Sequence, residues 1–142
     1  MARFDNDERI AFARVQFADR PAERWAMAIT EGQDPSTLKP GYVFCYGVDS
    51  GMGAFIEEAA LGDITTALFL TDGGFSRLEK ELSKVYRHTR KWARINTTHG
   101  NAVIFSSGFG DGYYASYFGY DGEGELVALM TDFGVVDWKQ EN

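Results

Sequence analysis

The sequence predicts a mainly β, antiparallel domain, either a β-sandwich of two sheets or one strongly bent sheet, with one amphipathic helix near residues 77 to 87. Three observations predict it. From Asn101 to Phe133, apolar residues alternate between glycine-rich turns, the pattern of strands joined by reversals. One stretch carries a helical stripe behind a capping sequence. The 142 residues, 44% hydrophobic and 25% charged, have the make-up of a single domain, 1 to 142, large enough to fold without a metal or a disulfide.

Residues 8 to 18 alternate as a strand, with Ala11, Ala13, Val15 and Phe17 on the face expected to be buried. Asp19-Arg20-Pro21 makes a turn. Residues 23 to 30 read as a second strand with Trp25 and Met27 on one face; a helix is the rival reading, because Ala and Met favour it. Residues 31 to 41 form a loop dense in Gly, Pro, Asp and Ser. Tyr42 to Val48 is a β run that empties into the turn Asp49-Ser50-Gly51-Met52-Gly53, after which Ala54-Phe55-Ile56 resumes a strand.

Residues 57 to 70 fit neither period clearly. Ser76-Arg77-Leu78-Glu79 then matches a capping box with Ser76 at the N-cap, and Phe75, Leu78, Leu82, Val85 and Tyr86 fall at helical spacing. Residues 101 to 106 are apolar on both faces, as a central strand is. Ser106 to Gly112 is expected to close a hairpin, because three glycines permit positive φ and Asp111-Gly112 suits a tight reversal. Tyr113 to Tyr120, the turn Asp121-Gly122-Glu123-Gly124 and Leu126 to Thr131 complete a meander. The expected core is Phe17, Trp25, Phe44, Phe55, Leu78, Leu82, Val85, Trp92, Val103, Phe105, Phe118, Leu126 and Leu129.

The net charge of −7 argues against binding nucleic acid over the whole surface and favours encounter with a basic protein partner. Charge is polarised along the chain. Residues 77 to 94 hold seven basic against two acidic side chains, +5, and beyond Arg94 seven acidic residues oppose Lys139 alone, −6. The N-terminal residues lack an apolar secretion segment and no apolar run reaches the roughly 20 residues of a membrane span, so a cytoplasmic protein with no membrane association is expected. Cys45, the single cysteine, sits in an apolar run and reads as a small buried hydrophobe.

Chemistry concentrates in two turns, Asp49-Ser50-Gly51 and Ser106-Ser107-Gly108 with Asp111 nearby. Each places hydroxyls and backbone amides at a strand end. If the turns meet, Asp49, Ser50, Ser107 and Asp111 become candidates for a ligand or metal site; otherwise Asp and Ser satisfy turn amides. A serine hydrolase is disfavoured, since neither His88 nor His99 accompanies a nucleophile elbow. Calcium-loop spacing and His/Cys clusters are lacking, so no cofactor is expected. Gly108-Phe109-Gly110-Asp111-Gly112 runs into a tyrosine-rich strand rather than a helix, unlike a dinucleotide loop.

The ordered set Val48 to Gly53, Trp92, Phe105 to Tyr114 and Thr131-Asp132-Phe133, with Gly32-Gln33-Asp34-Pro35 upstream, resembles a bacterial family of uncharacterised proteins, domain of unknown function 4241. The resemblance covers nearly the whole chain. It implies one intact β-rich domain with Asp49, Ser50, Gly51, Gly53, Ser107, Gly108, Gly110, Asp111 and Gly112 as signature positions, and it carries no activity with it. The functional expectation is a non-catalytic protein-binding module, with an immunity-type protein blocking a basic effector as one form of it. The alternative is a small-ligand or metal-dependent enzyme using the Asp49 and Asp111 turns, which requires those turns to lie side by side.

Overall fold

A computed structural model of the chain describes residues 2–4, 7–87 and 91–138. The domain is mainly β, with two larger antiparallel sheets and a short N-terminal hairpin, β1 (Ala2–Phe4) with β2 (Asp7–Arg9). The five-stranded sheet runs β3 (Phe12–Gln16), β10 (Leu126–Asp132), β9 (Gly112–Tyr120), β4 (Arg24–Met27), with β5 (Tyr46–Val48) also on β9. The three-stranded sheet runs β6 (Met52–Ile56), β8 (Asn101–Ser106), β7 (Trp92–Asn96). β8 is central, as its two apolar faces predict. Residues 24 to 27 are a strand despite their helix-favouring side chains, because pairing with β9 places Trp25 and Met27 on the face that packs around Tyr117 and Met130.

One face of the three-stranded sheet is covered by helices. After a 3₁₀ turn at Glu58–Ala60, α1 (Leu61–Thr65) continues into a π-helical turn (Thr66–Leu70), and α2 (Gly74–Lys84) follows. Leu78 and Leu82 pack on Ala93 and Ile104; Ala60 and Ile64 pack on Ala102. The stripe expected near 77 to 87 therefore exists, but the helix spans 74 to 84, and Ser76 lies inside it. Gly73 holds the N-cap position at φ 70°, and a Cβ on Gly74 would stand 1.9 Å from the Ala67 carbonyl oxygen, so the elbow demands glycine there. With the helix over at Lys84, Val85 and Tyr86 stay exposed, as does Phe75. Within residues 57 to 70, which show no clear period, positions 58 to 70 are helical, so the domain has more than the one helix expected.

The five-stranded sheet has its own cluster on the face away from the three-stranded sheet. Trp138 stands edge-on to Phe12, Trp25 and Tyr117, and its indole N–H donates to Asp132 Oδ2 at 2.9 Å. Trp25 lies over Gly119, where a Cβ would come within 2.8 Å of the indole ring.

Several core expectations fail for identifiable reasons. Leu126 is exposed because the β9–β10 register shifts between Leu126 and Ala128, which turns Val127 and Ala128 both inward. Phe17 lies just past the end of β3, and Trp92 sits on the edge strand β7; both are exposed. Cys45 is also exposed, since residues 42 to 45 precede β5 rather than forming part of it. Phe105, Leu78 and Leu82 are buried as expected, and Trp25, Phe44, Phe55, Val103, Phe118 and Leu129 are half-buried.

Candidate functional site

The two glycine turns meet. β5 pairs with β9 as far as Val48 opposite Gly112, and β6 pairs with β8 from Met52 opposite Ser106. Residues 46 to 56 and 101 to 114 thus form one two-stranded ribbon that bends from one sheet into the other, and both turns sit at the bend. Residues 106 to 112 are consequently a crossing between sheets. They close no hairpin, because β8 and β9 do not pair with each other; within the expected meander only β9 and β10 do so.

At the bend, three residues, 49 to 51, face five, 107 to 111. Side chains restore the ladder bonds that the extra length removes. Asp111 Oδ1 accepts the Gly51 N–H at 2.8 Å, and the Gly51 carbonyl accepts the Ser107 N–H at 3.0 Å. The Ser107 hydroxyl donates to the Gly110 carbonyl at 2.8 Å, and the Tyr114 hydroxyl donates to the same carbonyl at 2.6 Å. Gly51, Gly108 and Gly110 take φ of 64°, 57° and 118°, and at Gly108 a Cβ would meet Phe133 at 2.8 Å. Burial raises the Tyr114 phenol above its ordinary value.

Of the four residues singled out, Ser107 is fully buried and its hydroxyl is engaged, whereas Asp49, Ser50 and Asp111 are exposed. Among the described residues no group of three or more His, Cys, Asp or Glu side chains gathers in a way that could hold a metal ion. His88 lies outside the described residues.

Next to the bend, the inner faces of the two sheets leave a cleft of about 390 Å³. Tyr114, Ser116 and Phe118 of β9 line it with Leu129 and Thr131 of β10, Tyr46 of β5, Phe55 of β6 and the loop residues Ile29 and Phe44. Ser116 and Thr131 hydroxyls are paired at 2.8 Å. The Tyr46 phenol interacts with Thr131, and burial raises it above its ordinary value. Sequence periodicity places Ser116 and Phe118 on one face, but Ile29 and Phe44 reach the cleft from the segment between β4 and β5, outside any strand.

A second polar pair escapes sequence reading because its members lie 36 residues apart. His99 Nδ1 is 2.8 Å from Asp63 Oδ2 on the solvent side of α1. Hydrogen bonds from His99 and then Thr97 hold the Asp63 carboxyl below its ordinary value. The surface also carries an apolar patch at the helical elbow. Phe69 and Leu70 are 70% and 75% exposed, and the Phe69 ring lies 6.4 Å from that of Phe75, which is half exposed. No helix among the described residues is long and apolar enough to cross a membrane.

Compared with known proteins, residues 1–131 match the family model described as protein of unknown function, DUF4241. No curated protein and no solved structure matches the chain.

Proposed function

This chain belongs to the DUF4241 family, and on that premise we propose that it is a cytoplasmic, non-catalytic protein-binding module that engages a basic partner, in the manner of an immunity-type protein. The observation that carries the reading is the patch of Phe69, Leu70 and Phe75 on the elbow between the π-helical turn and α2. Contiguous exposed aromatic and aliphatic side chains mark association surfaces, and buried aromatic anchors dominate binding energy. A π-helical turn also tends to occur where function holds a helix out of its regular form. The net charge of −7 would speed encounter with a basic surface, with a rate that falls as salt rises.

The test is capture from the native lysate with wild-type protein and with a Phe69→Asp/Leu70→Asp pair. A stoichiometric basic partner retained by the wild type at low salt and lost by the pair supports the reading. Equal capture by both proteins, or none by either, overturns it.

A second reading, a small-ligand or metal-dependent enzyme at the glycine turns, draws support from the adjacency of those turns. It predicts that a divalent cation raises the melting temperature of the wild type and leaves that of Asp49→Asn unchanged.

A further inference from the structure

We propose that the cleft between the two sheets binds a small, neutral, mainly apolar molecule that presents one polar group to the hydroxyls of Ser116 and Thr131.

The inner faces of a sandwich normally interdigitate and fill the space between the sheets. Here they pack through Phe105, Phe133 and Tyr114 near the bend, but beside β6 a cleft of about 390 Å³ stays open, near the lower end of the roughly 300–1,000 Å³ of ligand pockets. The walls are Ile29, Phe44, Phe55, Phe118 and Leu129. Apolar walls that face water in an open cleft are stabilised when an apolar occupant covers them.

The floor sets the polar requirement. Thr131 is 1% exposed and Ser116 is half-buried, and both residues line the cleft. The two hydroxyls carry two protons. Their mutual bond uses one and the Tyr46 phenol adds a third proton and a second bond, so the three hydroxyls together keep one donor and several lone pairs for an occupant. Hydroxyls rotate, so the floor can serve a donor or an acceptor. None of the lining residues carries a formal charge. A charged ligand would surrender its hydration without a counter-ion, so the site selects neutral molecules.

A peptide strand finds no edge to extend on β9. The backbone of β9 that borders the cleft is already paired with β5 on one stretch and β4 on the next, and the Ala28 N–H fills the gap between them by donating to the Ser116 carbonyl at 2.8 Å. β9 keeps no free edge there for a peptide to extend; among the described strands the unpaired edge beside the cleft belongs to β6.

The experiment titrates N-phenyl-1-naphthylamine, a neutral probe that fluoresces in apolar surroundings and carries one N–H, into the full chain. The anionic probe 8-anilinonaphthalene-1-sulfonate is titrated in parallel. The expected result is saturable one-site binding of the neutral probe, at least tenfold tighter than the anionic one. Ala28→Trp, whose side chain shares the face of Ala26 and Phe118, should abolish it. Thr131→Val, equal in shape and lacking the hydroxyl, should weaken it by about three- to tenfold. Saturating probe should also slow alkylation of Cys45, which lines the cleft mouth.

Non-saturable binding, tighter binding of the anionic probe, or an Ala28→Trp variant that binds as the wild type does would each overturn the proposal; the last outcome would place the probe on the elbow patch. Should Ala28→Trp fail to fold, the Thr131→Val affinity and the Cys45 alkylation rate decide: no change in either overturns it.

Discussion

The Asp111 carboxylate accepts the Gly51 amide across a separation of sixty residues. It stands where a backbone carbonyl would stand if the two sides of the bent ribbon were equal in length. Its position follows from a mismatch of three residues against five, and the chain meets that mismatch with a side-chain acceptor.

Asp111→Ala should lower stability by about 1 kcal/mol, the scale of one solvent-accessible hydrogen bond. Asp111→Asn keeps an acceptor at the same reach and should lose less than half of that. Urea denaturation of the two variants checks the order; an Asn variant as unstable as the Ala variant would show that charge matters more than the bond.

Gly74→Ala should be far more costly than an alanine in a helix usually is. The added Cβ would stand 1.9 Å from a backbone oxygen that no side-chain movement can relieve. A loss at or above the upper end of the roughly 0.5–3 kcal/mol span of single substitutions is expected. The thermal midpoint measures it, and Gly62→Ala, where a Cβ meets nothing within 4 Å, is the matched control.

Trp138 predicts a dependence on the C-terminal segment. Its ring contacts with Phe12, Trp25 and Tyr117 and its bond to Asp132 tie that segment to the sheet. Trp138→Ala should cost about 3 kcal/mol, as loss of a large aromatic side chain does, and Trp138→Phe a smaller amount. Guanidinium unfolding of both variants reads the difference.

Stability should depend on pH at both ends of the scale. Asp63 is held below its ordinary 3.8, so its contribution is complete above that value and is lost as pH falls through the folded-state value. Asp63→Asn should remove this acid dependence. Tyr46 and Tyr114 are raised above 10.0 by burial, so their contribution is complete below pH 10 and declines as pH rises toward their folded-state values. Melting temperatures from pH 2 to 5 and from pH 9 to 11.5, with Asp63→Asn and Tyr46→Phe, test the two limbs separately.

Local chemistry made part of this fold legible. The alternation in residues 113 to 120 and 126 to 131 marks β9 and β10, and the Leu78–Leu82 spacing marks the inner face of α2. Of the three glycines in residues 106 to 112 expected to permit positive φ, Gly108 and Gly110 adopt it, whereas Gly112 opens β9 without it. Whether a glycine-rich reversal closes a hairpin or carries a strand into another sheet depends on partners far away in sequence, and so the crossing at 107 to 111 was not legible. Ser76 looked like a cap, yet the close approach of Gly74 to Ala67 decides where α2 begins. The Asp63–His99 pair and the loop wall of the cleft arise from tertiary contact alone. So does the meeting of the two glycine turns, which the residues could pose as a condition and only the ribbon answers.

Because one ribbon supplies strands to both sheets, neither sheet can open without straining the other. Amide hydrogens on Phe105 of β8 and on Tyr117 of β9 should exchange with deuterium through the same global opening event. Heat should melt the domain in a single transition, with equal calorimetric and van't Hoff enthalpies. The bend is thus expected to tie both sheets into one cooperative unit even though the apolar clusters are divided between two faces.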